Sequence, residues 1–370
     1  MKKLTKTDLY DILYGCTILG TGGGGELQRG LEMIDEALEA GKDFVLVDLD
    51  ELEEDAYIGT PYMCGSVSPK DEKDVINLPQ IEKAPAVKAF QVMEKYFGKS
   101  FTGVIATELG GSNTAVAFYV AAMMGKYIID GDPAGRSVPE LQHSTYFLKD
   151  LPIAPITVAN EFGDVAIIEN AVDDFRAEAL VRSMAIVSNN SVAVVDHPAT
   201  KKQLEDAIIK GSVSYALKLG RAFRLAKENN EDPAKAVVEA GEGKILFKGA
   251  VADYNWETAN GFTFGNTLIE GKEGYEGSIY KIWYKNENII SWKDNVIHAT
   301  VPDLISIIRD DTGEPVTNPY FEVGMPVTVI ALPSPAEWTT ERGLEVFGPK
   351  HFGYDIEFKS IIKENECETA

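Results

Sequence analysis

The carboxylates of Asp130-Gly131-Asp132 stand directly behind the apolar run Tyr127-Ile128-Ile129, and Arg136 and Glu140 follow a few residues on. A pair of aspartates leaving the C-terminal end of a strand can bind a divalent ion, orient a water as general base, or divide acid and base roles when their surroundings separate their pKa values. On a helix, Arg136 and Glu140 would share a face, with Arg136 placed to pair with Asp132 or to clamp a substrate carboxylate through two N–H groups. The plainer alternative is a capping aspartate followed by an exposed ion pair. Two sister loops favour the chemical reading: Glu108-Leu109-Gly110-Gly111-Ser112-Asn113, and the run Leu19-Gly20-Thr21-Gly22-Gly23-Gly24-Gly25-Glu26. Glycines collect where backbone takes positive φ or approaches a ligand closely. Three polar, glycine-rich loops predict one shared pocket for a small molecule.

Other candidates are thinner. None of His143, His197, His298 and His351 lies within metal-ligand spacing of another. His143, three residues beyond Glu140, is the one that can join Asp130 and Asp132 around a divalent metal ion. Cys64, beside glycine and serine, lacks a recognisable base and reads as a small buried thiol. Gly20, Gly22 and Gly25 satisfy the dinucleotide fingerprint spacing, with Asp48 or Asp50 as the ribose acid, so a dinucleotide-dependent oxidoreductase is the rival function. That rival requires a strand-loop-helix context. Gly98-Lys99-Ser100 ends like a P-loop, but Met93 stands where its leading glycine belongs, and it reads as a loop.

These residues need elements to hold them. Short helical and β-rich runs alternate up to Ile168, with strands expected at Phe44 to Leu49, Gly103 to Thr107, Tyr127 to Ile129, Ile156 to Ala159 and Val165 to Ile168. Helical patterns cover Asp8 to Leu13, Glu26 to Ala40, Ala86 to Tyr96, Thr114 to Met124 and Val138 to Phe147. Such alternation predicts an α/β layer fold with a largely parallel sheet and the glycine-rich loops at strand-to-helix turns. Asp173 to Ile186 and Lys201 to Lys227 read as long helices. From Lys244 to Leu332 short β runs split by turn signals predict a small β-barrel or sandwich. The expected division is residues 1–170 as the α/β domain and 171–362 as a second domain, with bridging helices in 171–240, the barrel at 244–332 and a tail carrying Trp338, Arg342 and Asp355 that packs back on the first domain.

Composition narrows the function classes. The 370 residues are 45% hydrophobic and 25% charged, an ordinary globular balance, and the net charge of −23 disfavours nucleic acid or anionic membranes as partners. Asp8 and Asp11 follow the N-terminal lysines where a secretory signal would be apolar, and no apolar run reaches the roughly 18 residues of a membrane span. A cytoplasmic location is expected. Cys16, Cys64 and Cys367 are too few and too scattered for a disulfide framework.

The phrases Leu19 to Gly25, Glu108 to Asn113, Asp130-Gly-Asp-Pro-Ala-Gly-Arg-Ser-Val-Pro-Glu-Leu-Gln142, Ala299-Thr-Val-Pro-Asp-Leu-Ile305, Thr312-Gly-Glu-Pro315 and Phe347-Gly-Pro-Lys-His-Phe-Gly-Tyr-Asp355, in this order, resemble the S-methyl-thiohydantoin desulfurase family over nearly the whole chain. The resemblance implies a three-layer α/β domain, its sheet mostly parallel or mixed, linked by helices to a small β-barrel domain. It also implies a hydrolase that replaces the S-methyl group of a five-membered cyclic thioimidate by oxygen, releasing methanethiol. Relatives occur beside hydantoinase and oxoprolinase enzymes, so such an enzyme is a possible partner, with this chain as a non-catalytic accessory subunit in the alternative; a homo-oligomer stays open. The stretch Met63 to Pro69 departs from the family pattern. For such a reaction the loops offer Asp130 or Asp132 as the base, Glu108 or Glu140 as the acid, Arg136 as the clamp for a carboxylate tail, the N–H groups of Gly22, Gly23 and Gly24 with the Asn113 amide for the anionic side, and Gly111 as a further substrate-binding residue.

Overall fold

The computed structural model describes residues 1–65 and 76–363. Residues 66–69 of the departing stretch, and Cys367, lie outside the described residues.

An eight-stranded sheet forms the centre of the first half. Its order is β1 (Lys2–Lys3), β2 (Val45–Val47), β5 (Tyr127–Ile129), β4 (Gly103–Val104), β3 (Tyr57–Gly65), β9 (Ser191–Thr200), β7 (Ile156–Ala159) and β8 (Val165–Ile168). The run β2-β5-β4-β3 is parallel, whereas β1, β9, β7 and β8 join antiparallel. The sheet is therefore mixed rather than largely parallel. The main cause is β9, which the sequence reading passed over: it enters from beyond residue 170 and pairs with both β3 and β7.

Both faces of this sheet are covered, which makes three layers. Along β9, Ala193 and Val195 pack into the core that holds Phe90 of α3 (Pro85–Phe97) and Phe118 of α4 (Asn113–Met124). Val192 and Val194 face the other way, onto Ala177 and Val181 of α6 (Asp174–Ile186). Period-two alternation with apolar residues on both sides is the pattern of a strand buried between helices. On the first face lie also α1 (Lys6–Leu19) and α2 (Leu27–Glu39). On the second lie α5 (Thr145–Leu148) and α7 (Lys201–Leu204), whose Tyr146 and Leu204 share a core with Ile58, Ile105 and Ile129.

A short ladder, β6 (Gly131–Asp132) with β10 (Ile209–Lys210), leads to α8 (Ser212–Glu228) and α9 (Pro233–Gly241), and α8 packs along α1. The second sheet follows, wholly antiparallel and of seven strands: β15 (Val296–Thr300), β14 (Glu287–Lys293), β13 (Ile279–Lys285), β12 (Phe262–Gly271), β11 (Lys244–Ala259), β17 (Pro326–Leu332) and β16 (Leu304–Arg309). It curls around Phe247, Ile269, Tyr280, Ile282, Val327 and Val329 as a half-barrel. The expected barrel does not close, since no ladder joins β15 to β16, the two strands that end the sheet. Near that opening the polar groups are satisfied by the first half of the chain. Ser306 Oγ donates to the Ile18 carbonyl at 2.6 Å, and Arg136 Nη1 donates to the Pro302 carbonyl at 2.9 Å. After the sheet the chain returns to the first half through α10 (Glu341–Phe347), and the buried Trp338 donates to the Ala134 carbonyl at 2.8 Å. No helix among the described residues is long and apolar enough to cross a membrane.

Candidate functional site

A cavity of about 500 Å³ opens between the two sheets, within the range typical of small-molecule sites. Its walls come from the glycine loop between α1 and α2, the loop entering α4, the stretch 138–144, the polar turns of the half-barrel around Asn286 and Asn318, and the end of β3 from Tyr62 to Gly65 with Arg182 and Ser191 beside it.

The glycine loop joins a helix to a helix. The apolar Cys16 to Leu19 continues α1 instead of forming a strand, so the strand-loop-helix context that a dinucleotide fingerprint demands is not met. Gly22 and Gly24 line the cavity, whereas the Gly23 N–H is taken by the Gly20 carbonyl at 2.8 Å. Gly24 holds φ +75° with its Cα against Gly110, where any Cβ would strike backbone. Gly111 packs on α2: its Cβ would fall 2.8 Å from Leu27 Cα, and it is no part of the cavity wall.

Glu108 and Asn113 face the cavity together. Asn113 Nδ2 donates to Glu108 Oε1 at 2.7 Å while Asn113 Oδ1 accepts from the Met63 N–H at 3.0 Å. Glu108 Oε2 accepts from the Val138 N–H at 2.8 Å. Burial pushes the Glu108 carboxyl up to about 7, even with those two donors favouring its charged form.

The second carboxylate is one that sequence reasoning missed. Glu287, at the start of β14, is 2% exposed, and its Oε2 has no hydrogen-bond partner. Burial first, and the charge of Glu108 second, raise its pKa well above the usual carboxylate range, with Arg136 behind it offsetting in part. Asn318, also in the wall, leaves its Oδ1 without a partner while its Nδ2 donates to the Asn286 carbonyl at 2.7 Å. Glu287 Oε2 and Asn318 Oδ1 are both unsatisfied polar atoms buried within the cavity wall, an uncommon state that costs free energy. The available signal was Asn286-Glu287-Asn288, a polar cluster inside a β-rich, apolar stretch.

The stretch 138–144 departs from the expected helix. Of Val138 to Phe147 only the part from Thr145 is helical, in Thr145–Leu148, and Pro139 removes a backbone donor near the expected start. Glu140 and His143 thus reach the cavity from a turn, tied by the His143 N–H to the Glu140 carbonyl at 3.0 Å. Lys285 Nζ pairs with Glu140 Oε1 at 2.8 Å. Burial alone would raise the Glu140 carboxyl, but His351, His143 and Lys285 beside it hold it down at about 2.

Asp130, Asp132 and Arg136 do not line the cavity. Asp130 caps α8, accepting from the Ser214 N–H at 2.9 Å and from the Ser214 hydroxyl. Asp132 Oδ2 accepts from the N–H groups of Ala134 and Gly135, at 2.9 and 2.7 Å, and so folds its own loop; burial raises it to about 7. Fully buried, Arg136 gives Nη1 to the carbonyls of Pro302 and Asp303 and Nη2 to Thr21 Oγ1, at 2.9, 3.3 and 2.9 Å, with its guanidinium over the Phe347 ring. It ties glycine loop to half-barrel instead of clamping a substrate tail. Nor does His143 meet the two aspartates as a metal set: among the described residues the cluster able to share an ion is Glu140, His143 and His351. Cys64 lines the cavity as a thiol that burial pushes up to about 12, too high for a nucleophile at neutral pH.

A mixed three-layer domain and a half-barrel meet at a cavity with buried acids in its wall. The chain belongs to the S-Me-THD-like family: the model of its N-terminal domain matches residues 7–170 and that of its C-terminal domain residues 172–361. This agrees with the resemblance carried by the sequence motifs. An X-ray crystal structure of a protein from Chromobacterium violaceum shares the fold, with a TM-score of 0.78 at 24% identity over 98% of this chain and 100% of that one. No curated protein matches the chain.

Proposed function

We propose that the protein hydrolyses the C–S bond of an S-methyl-thiohydantoin or a closely related five-membered ring, releasing methanethiol. The observation that carries this reading is the pair Glu108 and Glu287, one from each half of the molecule, buried at one cavity with both pKa values raised. Two coupled acids whose surroundings separate their pKa values supply a base and an acid at the same pH. Glu108, whose carboxylate accepts two hydrogen bonds, ionises first and is the base; Glu287 keeps its proton and is the acid.

The proton inventory closes. Glu108 takes a proton from water as its oxygen bonds to the ring carbon between the two nitrogens, and Glu287 protonates the ring nitrogen as the C=N bond becomes single. In the collapse the C–S bond breaks and the carbonyl forms. Glu287 recovers the hydroxyl proton and Glu108 gives its proton to the departing sulfur, so one water is consumed and both carboxyls return to their starting states. Asn113 holds Glu108 in place. The test is the release of thiol, followed with a chromogenic disulfide, when the purified chain alone meets an S-methyl-thiohydantoin; absence of turnover by the folded protein would leave the accessory-subunit reading in its place.

A further inference from the structure

We infer that Glu140, His143 and His351 form a binding site for one divalent ion of the zinc class at the edge of the cavity. The site is read from geometry alone and stands whether or not the chain is a thiohydantoin hydrolase.

The three donor atoms form a small triangle. His143 Nε2 and His351 Nε2 lie 3.0 Å apart, and Glu140 Oε2 lies 3.5 Å from the first and 3.6 Å from the second. Two ligand atoms each about 2.05 Å from a tetrahedral zinc are separated by about 3.3 Å, and the three observed sides bracket that value. The two rings are at hydrogen-bond distance of each other, but the carboxylate is not well joined to them. The carboxylate oxygen is too far from either ring for a good hydrogen bond, although a short move would reach one of them. What the separations do allow is a point about 2 Å from all three atoms, the bond length of a zinc ligand.

Chemistry and position agree with that geometry. Two imidazoles and one carboxylate are the donor set of open, catalytic zinc sites, which leave a fourth position for water or substrate. Glu140 and His143 both line the cavity, so a fourth position would face it. Support comes from packing and from Lys285, while the buried His143 Nδ1 has no hydrogen-bond partner. His143 is fully buried and its ring packs at 5.0 Å from Phe347 and 5.7 Å from Phe352, which fixes its plane. Lys285 holds the other carboxylate oxygen of Glu140, at 2.8 Å, and so turns Oε2 toward the two rings; its charge also weakens the attraction for a cation. The three ligands come from segments some two hundred residues apart, which is why no spacing pattern in the sequence announces them.

The test reads metal directly. The full-length chain is stripped with a chelator, dialysed, and titrated with Zn²⁺ against a chromogenic chelator, and in parallel with Co²⁺ while the visible spectrum is recorded. The expected result is one ion per chain, binding tighter than about 10 μM, with a Co²⁺ spectrum of four- or five-coordinate intensity and a raised melting temperature. His351→Gln and Glu140→Gln, each checked for native near-ultraviolet circular dichroism, should weaken binding at least about 100-fold. Stoichiometric binding that is unchanged in both variants, or no binding tighter than about 100 μM by the wild-type chain, overturns the site. Since no readout depends on turnover, failure here leaves the hydrolytic reading untouched, and failure of that reading leaves the metal site standing.

Discussion

Gly23 and Glu287 meet across the joint between the two sheets, so closely that a Cβ on Gly23 would overlap Glu287 Oε1. The contact is between bare backbone and the far end of a buried acid. It explains why the glycine loop has no room for a side chain at this point, and it makes Gly23 a lever on the acid itself. Gly23→Ala is expected to displace the Glu287 carboxyl while leaving the backbone in place, lowering kcat by about 100-fold, the usual share of a positioned acid or base. The check is steady-state kinetics alongside thermal melting, with a change in melting temperature of only a few degrees.

Gly24 separates fold from chemistry. Its φ of +75° and its contact with the Gly110 backbone leave no flexible partner to give way. Gly24→Ala should therefore destabilise the whole protein by about 1–3 kcal/mol, seen as a lower midpoint in denaturant.

Asp132 offers a sharper contrast. Its carboxylate serves its own loop, so Asp132→Asn, whose amide oxygen can accept the same Ala134 and Gly135 N–H groups, should keep methanethiol release within a few-fold of wild type. The effect should appear instead in stability against pH. In the unfolded chain an aspartate titrates near 3.9, and here burial raises it to about 7. A raised folded pKa means its stabilising contribution is complete below about pH 4 and is lost as pH climbs through about 7. Glu108, also raised to about 7, adds to that decline. Melting temperatures from pH 5 to pH 8 should fall less steeply in Asp132→Asn than in wild type; parallel curves would show that the buried aspartate does not titrate there.

The sequence made the loops legible because acids, amides and glycines in short polar runs have few structural uses. Gly22, Gly24, Glu108, Asn113, Glu140 and His143 all reach the cavity. Asp130, Asp132 and Arg136 were placed there by the same logic, but an aspartate leaving a strand closes loops and caps helices as readily as it does chemistry. Arg136 shows the limit best: what decides its role is the carbonyl pair of Pro302 and Asp303, far along the chain. Glu287 and His351 were invisible for the same reason, since only tertiary folding brings them to the other acids. In the second sheet the β runs were readable, yet local pattern does not tell whether the last strands pair, and the half-barrel stays open.

Activity against pH tests the division of labour between the two carboxyls. kcat/KM should rise with an apparent pKa near 7 as Glu108 loses its proton and fall again at higher pH as Glu287 does, the two values belonging to the coupled pair. Glu287→Gln should remove the alkaline limb. A profile flat from pH 5 to pH 9 would show that neither group limits the rate.

The most direct measurement is the rate of methanethiol release from an S-methyl-thiohydantoin by the wild-type chain and by Glu108→Gln, the variant being verified as folded. Glutamine keeps the shape and the hydrogen bond to Asn113 but cannot accept the proton of water. The account predicts turnover by the wild type and a loss of at least about 100-fold in the variant. Equal rates in the two proteins would contradict it.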